Sequence, residues 1–168
     1  VDPFTQRVNH PVFADSGSLV AAELVVLVPL GGGGGQYLHQ QLRSTTGAIQ
    51  PLHADTGTAA LDGFVALLSA DLRSLTRATF FGGAAGSSFS DVINAIAVHP
   101  HTGFVHVAGK TVATALPGVA VGTQTSSGGS TDAYVARLPA DLLGPANTTV
   151  RYTFIGGTSA EIGNALAI

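Results

Sequence analysis

Leu61-Asp-Gly-Phe-Val-Ala-Leu-Leu68 returns as Thr131-Asp-Ala-Tyr-Val-Ala-Arg-Leu138, 70 residues further on (131 against 61). The same offset carries Ala70-Asp71-Leu72 onto Ala140-Asp141-Leu142, and Asn94-Ala-Ile-Ala-Val98 onto Asn164-Ala-Leu-Ala-Ile168. Between them, Thr79-Phe-Phe-Gly-Gly83 matches Thr153-Phe-Ile-Gly-Gly157 at an offset of 74 (153 against 79), the difference falling in the Ala84–Asp91 connection. Four matches in one order define an internal repeat, and a fixed period decides repeat folds before any local propensity does.

Each unit reads as short strands. Asn94–Val98 is a compact apolar run, Phe104–Ala108 follows the turn Pro100-His-Thr-Gly103, Ala133–Leu138 alternates, and Val150–Ile155 ends at a Gly-Gly pair. Gly-Gly and Pro-rich links supply the turns that short antiparallel strands need. Four strands in about seventy residues suit one propeller blade with its loops; a helical repeat would show a 3.6-residue period instead. The fold class expected is therefore all-β: β-propeller blades of four antiparallel strands, with two blade equivalents forming a partial or permuted propeller. A β-sandwich of two similar halves is the competing architecture.

Composition agrees. Of 168 residues, 22 are glycine, 45% are hydrophobic and 10% are charged, against about 25% charged in ordinary domains. Such a chain buries apolar surface instead of remaining disordered. The net charge of −3 provides no basic footprint, so nucleic acid is not an expected partner. The longest apolar run, Leu19–Leu30, is broken by Glu23 and Pro29 and falls short of the roughly 20 residues that span a bilayer, so membrane insertion is not expected. With no cysteine there is neither disulfide nor thiolate metal site. The absence of methionine suggests a processed product or a piece of something longer.

These motifs resemble the bacterial β-propeller repeat family, the seven-bladed propeller repeats of secreted and cell-surface proteins. Its units run as Asp-Ala-Phe-Val-Ala-Lys-Leu, Tyr-Ser-Thr-Tyr-Leu-Gly-Gly, Gly-Asn-Ala-Ile-Ala-Val-Asp and Gly-Asn-Val-Tyr-Val-Ala-Gly strands. Asp132–Leu138, Arg151–Gly157, Gly163–Ile168 and Gly103–Gly109 fill those roles here, as do Asp62–Leu68 and Phe80–Gly83. A weaker family signal, Gly-Ala-x-Gln after proline, appears as Gly47-Ala-Ile-Gln50 and loosely as Pro117-Gly-Val119. The sequence departs from the family at His99, where Asp is usual, and at His106, where an aromatic is usual. The stretch from Arg7 to Tyr37 matches poorly; of Arg7–Pro11 and Ser18–Val26, the more apolar Ser18–Val26 is the better second strand. The run Gly31–Gly35 reads as a loop, because a phosphate cradle would need a following helix and lysine.

Val1-Asp-Pro-Phe-Thr5 resembles Val98-His-Pro-His-Thr102, so the chain begins at the repeat phase where it stops. Two units are expected, residues 1–97, with the Gly-rich insertion, and residues 98–168, divided between the first and second strands of a blade. Rings of this kind need 4–8 blades, so the expected partners are other copies of the chain or further blades of a longer parent. Gly163–Ile168 is then expected to pair with a strand from elsewhere. Asn94–Val98 and Asn164–Ile168 should be inner strands, and Phe80, Phe154, Val65 and Val135 equivalent core positions.

Chemistry is sparse. His99, His101 and His106 are the candidate metal ligands, since a hairpin turn brings His99 towards His106 and neutral imidazoles bind zinc or copper. No second shell or fourth ligand accompanies them, and exposed turn histidines are the plainer account. Asp62 and Asp132 recur at equivalent strand starts, as do Asp71 and Asp141 in Ala-Asp-Leu loops. A catalytic residue is needed once, whereas an aspartate that fixes a turn through backbone N–H groups is needed in every unit. Ser16, Ser18, Ser69, Ser74, Ser87 and Ser88 lack a nucleophile-elbow context. Asn147-Thr-Thr149 fits the N-glycosylation pattern.

The expected function is a non-enzymatic structural or assembly module, extracellular or at the cell surface by resemblance, with no cofactor and no catalytic residue. The alternatives are a propeller that binds a glycan or protein ligand, with Tyr37 and Phe4 as sparse loop aromatics, and a non-catalytic fragment of a propeller enzyme.

Overall fold

The computed structural model describes residues 24–27, 44–54, 62–69, 73–84 and 91–168. Strands dominate: β1 (Leu24–Leu27), β2 (Gly63–Leu68), β3 (Leu75–Phe81), β4 (Val92–Val98), β5 (Val105–Thr111), β6 (Val119–Ala120), β7 (Asp132–Leu138) and β8 (Arg151–Ile155), with one helical turn, α1 (Ala146–Thr149), before β8. They form two sheets, β1-β2-β3 and β4-β5-β7-β8-β6. Among the described strands all pairings are antiparallel except the short one between β6 and β8, and the described residues have an all-β character.

The repeat is present in the register as well as in the letters. In the first sheet Leu24 faces Leu68, Val25 faces Leu67 and Leu27 faces Val65; in the second, Val105 faces Leu138, His106 faces Arg137 and Ala108 faces Val135. Likewise Phe64 opposes Phe80 as Tyr134 opposes Phe154, and Val65 opposes Thr79 as Val135 opposes Thr153. Thus β1, β2 and β3 repeat β5, β7 and β8, and β4 occupies the edge beyond β5. The strand expected at Ser18–Val26 overlaps β1 at residues 24–26, and its residues 18–23 lie outside the described residues. The unit division between residues 97 and 98 falls within β4, before its last residue Val98, and β4 shares a sheet with β5.

Strand periodicity places alternate residues on opposite faces. Val65, Leu67 and Phe81 of the first sheet meet Tyr134, Ala136, Tyr152 and Phe154 of the second in one core, joined by Val105, Val107, Leu138 and Val150. The Phe81 and Tyr134 rings lie 5.9 Å apart. Burying one such side chain stabilises the fold by roughly 1.5–3 kcal/mol. The other face of the first sheet holds a smaller cluster, Phe64, Ala66, Ala78 and Phe80, with the two phenylalanines edge to face at 5.4 Å.

One expected strand is not formed. Asn164–Ile168, the copy of Asn94–Val98, lies outside any strand, with Ile168 56% exposed. A strand needs a neighbour for its backbone groups, and β4 has β5 whereas this segment has no such partner among the described residues. Within β4 itself Ile93 and Ala95 are buried and Asn94 is bulged out of register.

Candidate functional site

Polar groups recur with the strands. At the end of each repeated hairpin a glutamine closes onto the Gly-Gly pair: the Gln50 Oε1 accepts from Gly82 N–H at 2.9 Å, and the Gln124 Oε1 accepts from Gly156 N–H at 2.9 Å. Their backbone carbonyls accept from Phe80 N–H and Phe154 N–H, each at 3.1 Å. The second copy of the Gly-Ala-Ile-Gln50 segment is therefore Val121-Gly-Thr-Gln124, and the match at Pro117–Val119 is corrected. The same 74-residue offset (124 against 50) that relates the Gly-Gly pairs relates the glutamines.

Asp62 and Asp132 stand beside these turns, and both are buried. The Asp62 Oδ2 accepts from Ala54 N–H at 2.7 Å and from the Gln50 amide at 2.8 Å; the Asp132 Oδ2 accepts from Gly128 N–H at 2.6 Å. A Cβ on Gly82 would collide with the Asp62 carboxylate, and one on Gly156 with that of Asp132, which is why glycine is required at both. The second glycine of each pair finds its own carboxylate: Gly83 N–H donates to Asp91 at 2.5 Å and Gly157 N–H to Glu161 at 2.9 Å. Sequence reasoning missed this pair because Asp and Glu replace one another across the 70-residue offset. Burial pushes the Asp91 carboxyl up to about 6, opposed by hydrogen bonds from Thr111 and Gly83. Burial also raises the neighbouring Tyr134 phenol, whose hydroxyl donates to the Val92 carbonyl.

The three candidate histidines do gather at the β4–β5 hairpin, with the ring of His99 6.0 Å from that of His101 and 6.4 Å from that of His106. Among the described residues, no group of three His, Asp or Glu side chains has the spacing to hold a metal ion. His99 Nδ1 instead accepts from His101 N–H and Thr102 N–H, each at 3.3 Å, and so serves the turn as an aspartate carboxylate would. That acceptor role places the ring proton on Nε2 in the neutral imidazole, leaving neither nitrogen with a spare lone pair. Burial lowers the basicity of His106, with His99 and Arg137 adding to the effect.

Asp141 is exposed and accepts from Leu143 N–H at 3.1 Å, a local turn bond. Ser69 Oγ accepts from Ser74 N–H at 3.0 Å across the β2–β3 turn. Asn147 is exposed on α1. Phe4, Ser16, Ser18, Tyr37, Asp71, Ser87 and Ser88 lie outside the described residues.

The feature with most bearing on function is the outer face of the second sheet, where Val135 and Ile155 stand among Thr153, His106, Lys110, Arg137 and Arg151. On the second sheet the residues equivalent to Val65, Thr79 and Phe81 are Val135, Thr153 and Ile155. Val65 and Phe81 are fully buried against the second sheet, whereas Val135 is half-buried and Ile155 is 54% exposed. Leu67 is replaced by exposed Arg137, whose guanidinium lies 4.6 Å over the Phe104 ring. Beside this face the segment Ala160–Gly163 is pinned: Glu161 N–H donates to Thr131 O at 2.9 Å and Gly163 N–H to Gly109 O at 3.0 Å. The Asn94 amide donates to Gly163 O at 3.0 Å. Ile162 is 49% exposed there.

Comparison with known proteins finds no matching family model, no similar curated protein and no similar solved structure. No described helix is long and apolar enough to cross a membrane.

Proposed function

We propose that the chain is a non-enzymatic assembly module, two units of a β-propeller, that functions by receiving a further copy of its own repeat on the exposed face of the second sheet. The observation that carries this is the inequivalence of equivalent positions: Phe81 is fully buried between units and Ile155, its counterpart, is 54% exposed. The row Val135, Thr153 and Ile155 follows the pattern of the buried Val65, Thr79 and Phe81, and exposed apolar surface at its Ile155 end favours association over solvation. The recurrent aspartates and glutamines hold turns in both units, which supports a structural role for them. A place outside the cell or on its surface rests on the resemblance to secreted and cell-surface repeat proteins.

The test is the molar mass by light scattering of the native chain, Ile155→Glu and Leu52→Glu. Leu52 is 77% exposed and lies off this face. The proposal expects an oligomer for the native chain and Leu52→Glu, and a monomer for Ile155→Glu. A native monomer, or an Ile155→Glu variant that still assembles, contradicts it.

A further inference from the structure

The outer face of the second sheet departs from its counterpart in one row. Pairing across the strands sets His106 opposite Arg137, and Arg137 opposite Arg151. In the first sheet the same row is Val25, Leu67 and Arg77, one cation beside two apolar side chains. Like charges facing each other across neighbouring strands are destabilising, so the row breaks a local rule of sheet pairing. Breaks of that kind without local compensation belong to functional sites.

Among the described residues no carboxylate pairs with Arg137 or Arg151. Asp62, Asp91 and Asp132 are buried at the Gly-Gly turns, while Asp141 and Glu161 accept from Leu143 N–H and Gly157 N–H. Positive charge is therefore concentrated on this row in a chain whose net charge is −3. Both guanidiniums are nevertheless held in place. Arg137 lies 4.6 Å over the Phe104 ring, and Arg151 donates to the carbonyls of Thr148 at 3.2 Å and Val150 at 2.9 Å. A planar guanidinium fixed in advance loses less freedom when it forms paired hydrogen bonds with a carboxylate.

We propose that the row His106, Arg137 and Arg151 docks a carboxylate-bearing segment of the protein unit that this face receives. This rests on the assembly reading above and names the chemistry of its partner, whether that unit lies on the same polypeptide or on another. The row covers two strand spacings, about 10 Å, and an extended chain sets alternate side chains about 7 Å apart, so two carboxylates of one strand fit along it. Its surroundings favour a protein over an acidic polysaccharide. Val119, 39% exposed, faces Arg151 across the β6–β8 pairing, and Val135 and Ile155 lie in the two rows beyond Arg137. A protein segment brings apolar side chains beside its acids to cover such surface, and an acidic polysaccharide brings none.

The probe is hexaglutamate, titrated into the native chain and followed by NMR at the arginine Nε–H groups. Hexaglutamine is the neutral control, and an oligogalacturonate of equal charge stands for the polysaccharide. Saturable shifts at Arg137 and Arg151 are expected with hexaglutamate. They should weaken at least tenfold between about 20 mM and about 500 mM salt, as contacts between exposed charges do. Arg137→Leu installs the residue found at the equivalent Leu67, so it keeps the pattern of the sheet and removes only the charge; it should weaken binding at least tenfold. No saturable binding, equal shifts at Arg77, binding of hexaglutamine, or tighter binding of the oligogalacturonate overturns the proposal. The assembly reading fails separately. If the native chain associates and Arg137→Leu associates as tightly, the face takes its unit without a carboxylate, and only the assembly reading survives. If hexaglutamate binds as expected and the native chain never associates, the acidic docking site survives and the assembly reading falls.

Discussion

The Asn94 side-chain amide donates to the carbonyl oxygen of Gly163 at 3.0 Å, tying the first strand of one repeat to the start of the next. Asn164 stands at the equivalent of Asn94, so the same bond is available to a following unit. Asn94→Ala should cost about 1 kcal/mol, the usual net worth of one hydrogen bond. It should also speed amide exchange at Gly163 relative to Gly156, measured by NMR. Unchanged exchange at Gly163 would show that the bond does not hold the segment.

Glycine at 82 and 156 is predicted to be needed for room. Gly82→Ala and Gly156→Ala push a methyl group into the carboxylates of Asp62 and Asp132 and should each lower stability by about 1–3 kcal/mol in chemical denaturation. Similar losses from the two variants would bear out the equivalence of the turns; a neutral outcome at either would argue against the close approach.

Asp91 predicts a pH dependence of definite sign. Its folded value, about 6, lies above the ordinary 3.8, so its contribution is fully present below pH 3.8 and is lost as pH rises through about 6. Asp62 and Tyr134 face it, and neither supplies a positive charge. A shift of about two units corresponds to roughly 3 kcal/mol. Stability relative to Asp91→Asn should therefore fall by about 2–3 kcal/mol between pH 4 and pH 7. A difference that is flat, or that grows with pH, would contradict the buried-acid account.

His99 should be replaceable by aspartate and not by alanine. An aspartate supplies the acceptor that His101 N–H and Thr102 N–H use, so His99→Asp should be within about 0.5 kcal/mol of the native chain while His99→Ala loses about 1 kcal/mol. Calorimetric titration with zinc should show no saturable site at His99, His101 and His106. Saturable binding abolished by His106→Ala would restore the metal reading.

Much of the fold was legible because the repeat spacing carries register. Val65 and Val135, at matching positions 70 residues apart, both sit in the middle of paired strands and oppose Thr79 and Thr153. Their burial differs because it depends on the neighbouring sheet, and the one nearby letter that marks the difference is Arg137 in place of Leu67. Asn164–Ile168 was misplaced for the same reason: its letters are those of β4, but no strand pairs with it among the described residues. The Asp91–Glu161 equivalence escaped because the two side chains differ in length while receiving the same glycine N–H. The histidine cluster was foreseen as a group of imidazoles; its use as a turn acceptor depends on a ring orientation that spacing does not encode.

The central claim is that the open face of the second sheet takes another repeat, and sedimentation equilibrium of the native chain across concentration tests it most directly. The account predicts species at integer multiples of 16.8 kDa, shifting towards the monomer on dilution and with Ile155→Glu. A single species at 16.8 kDa across that range would contradict it.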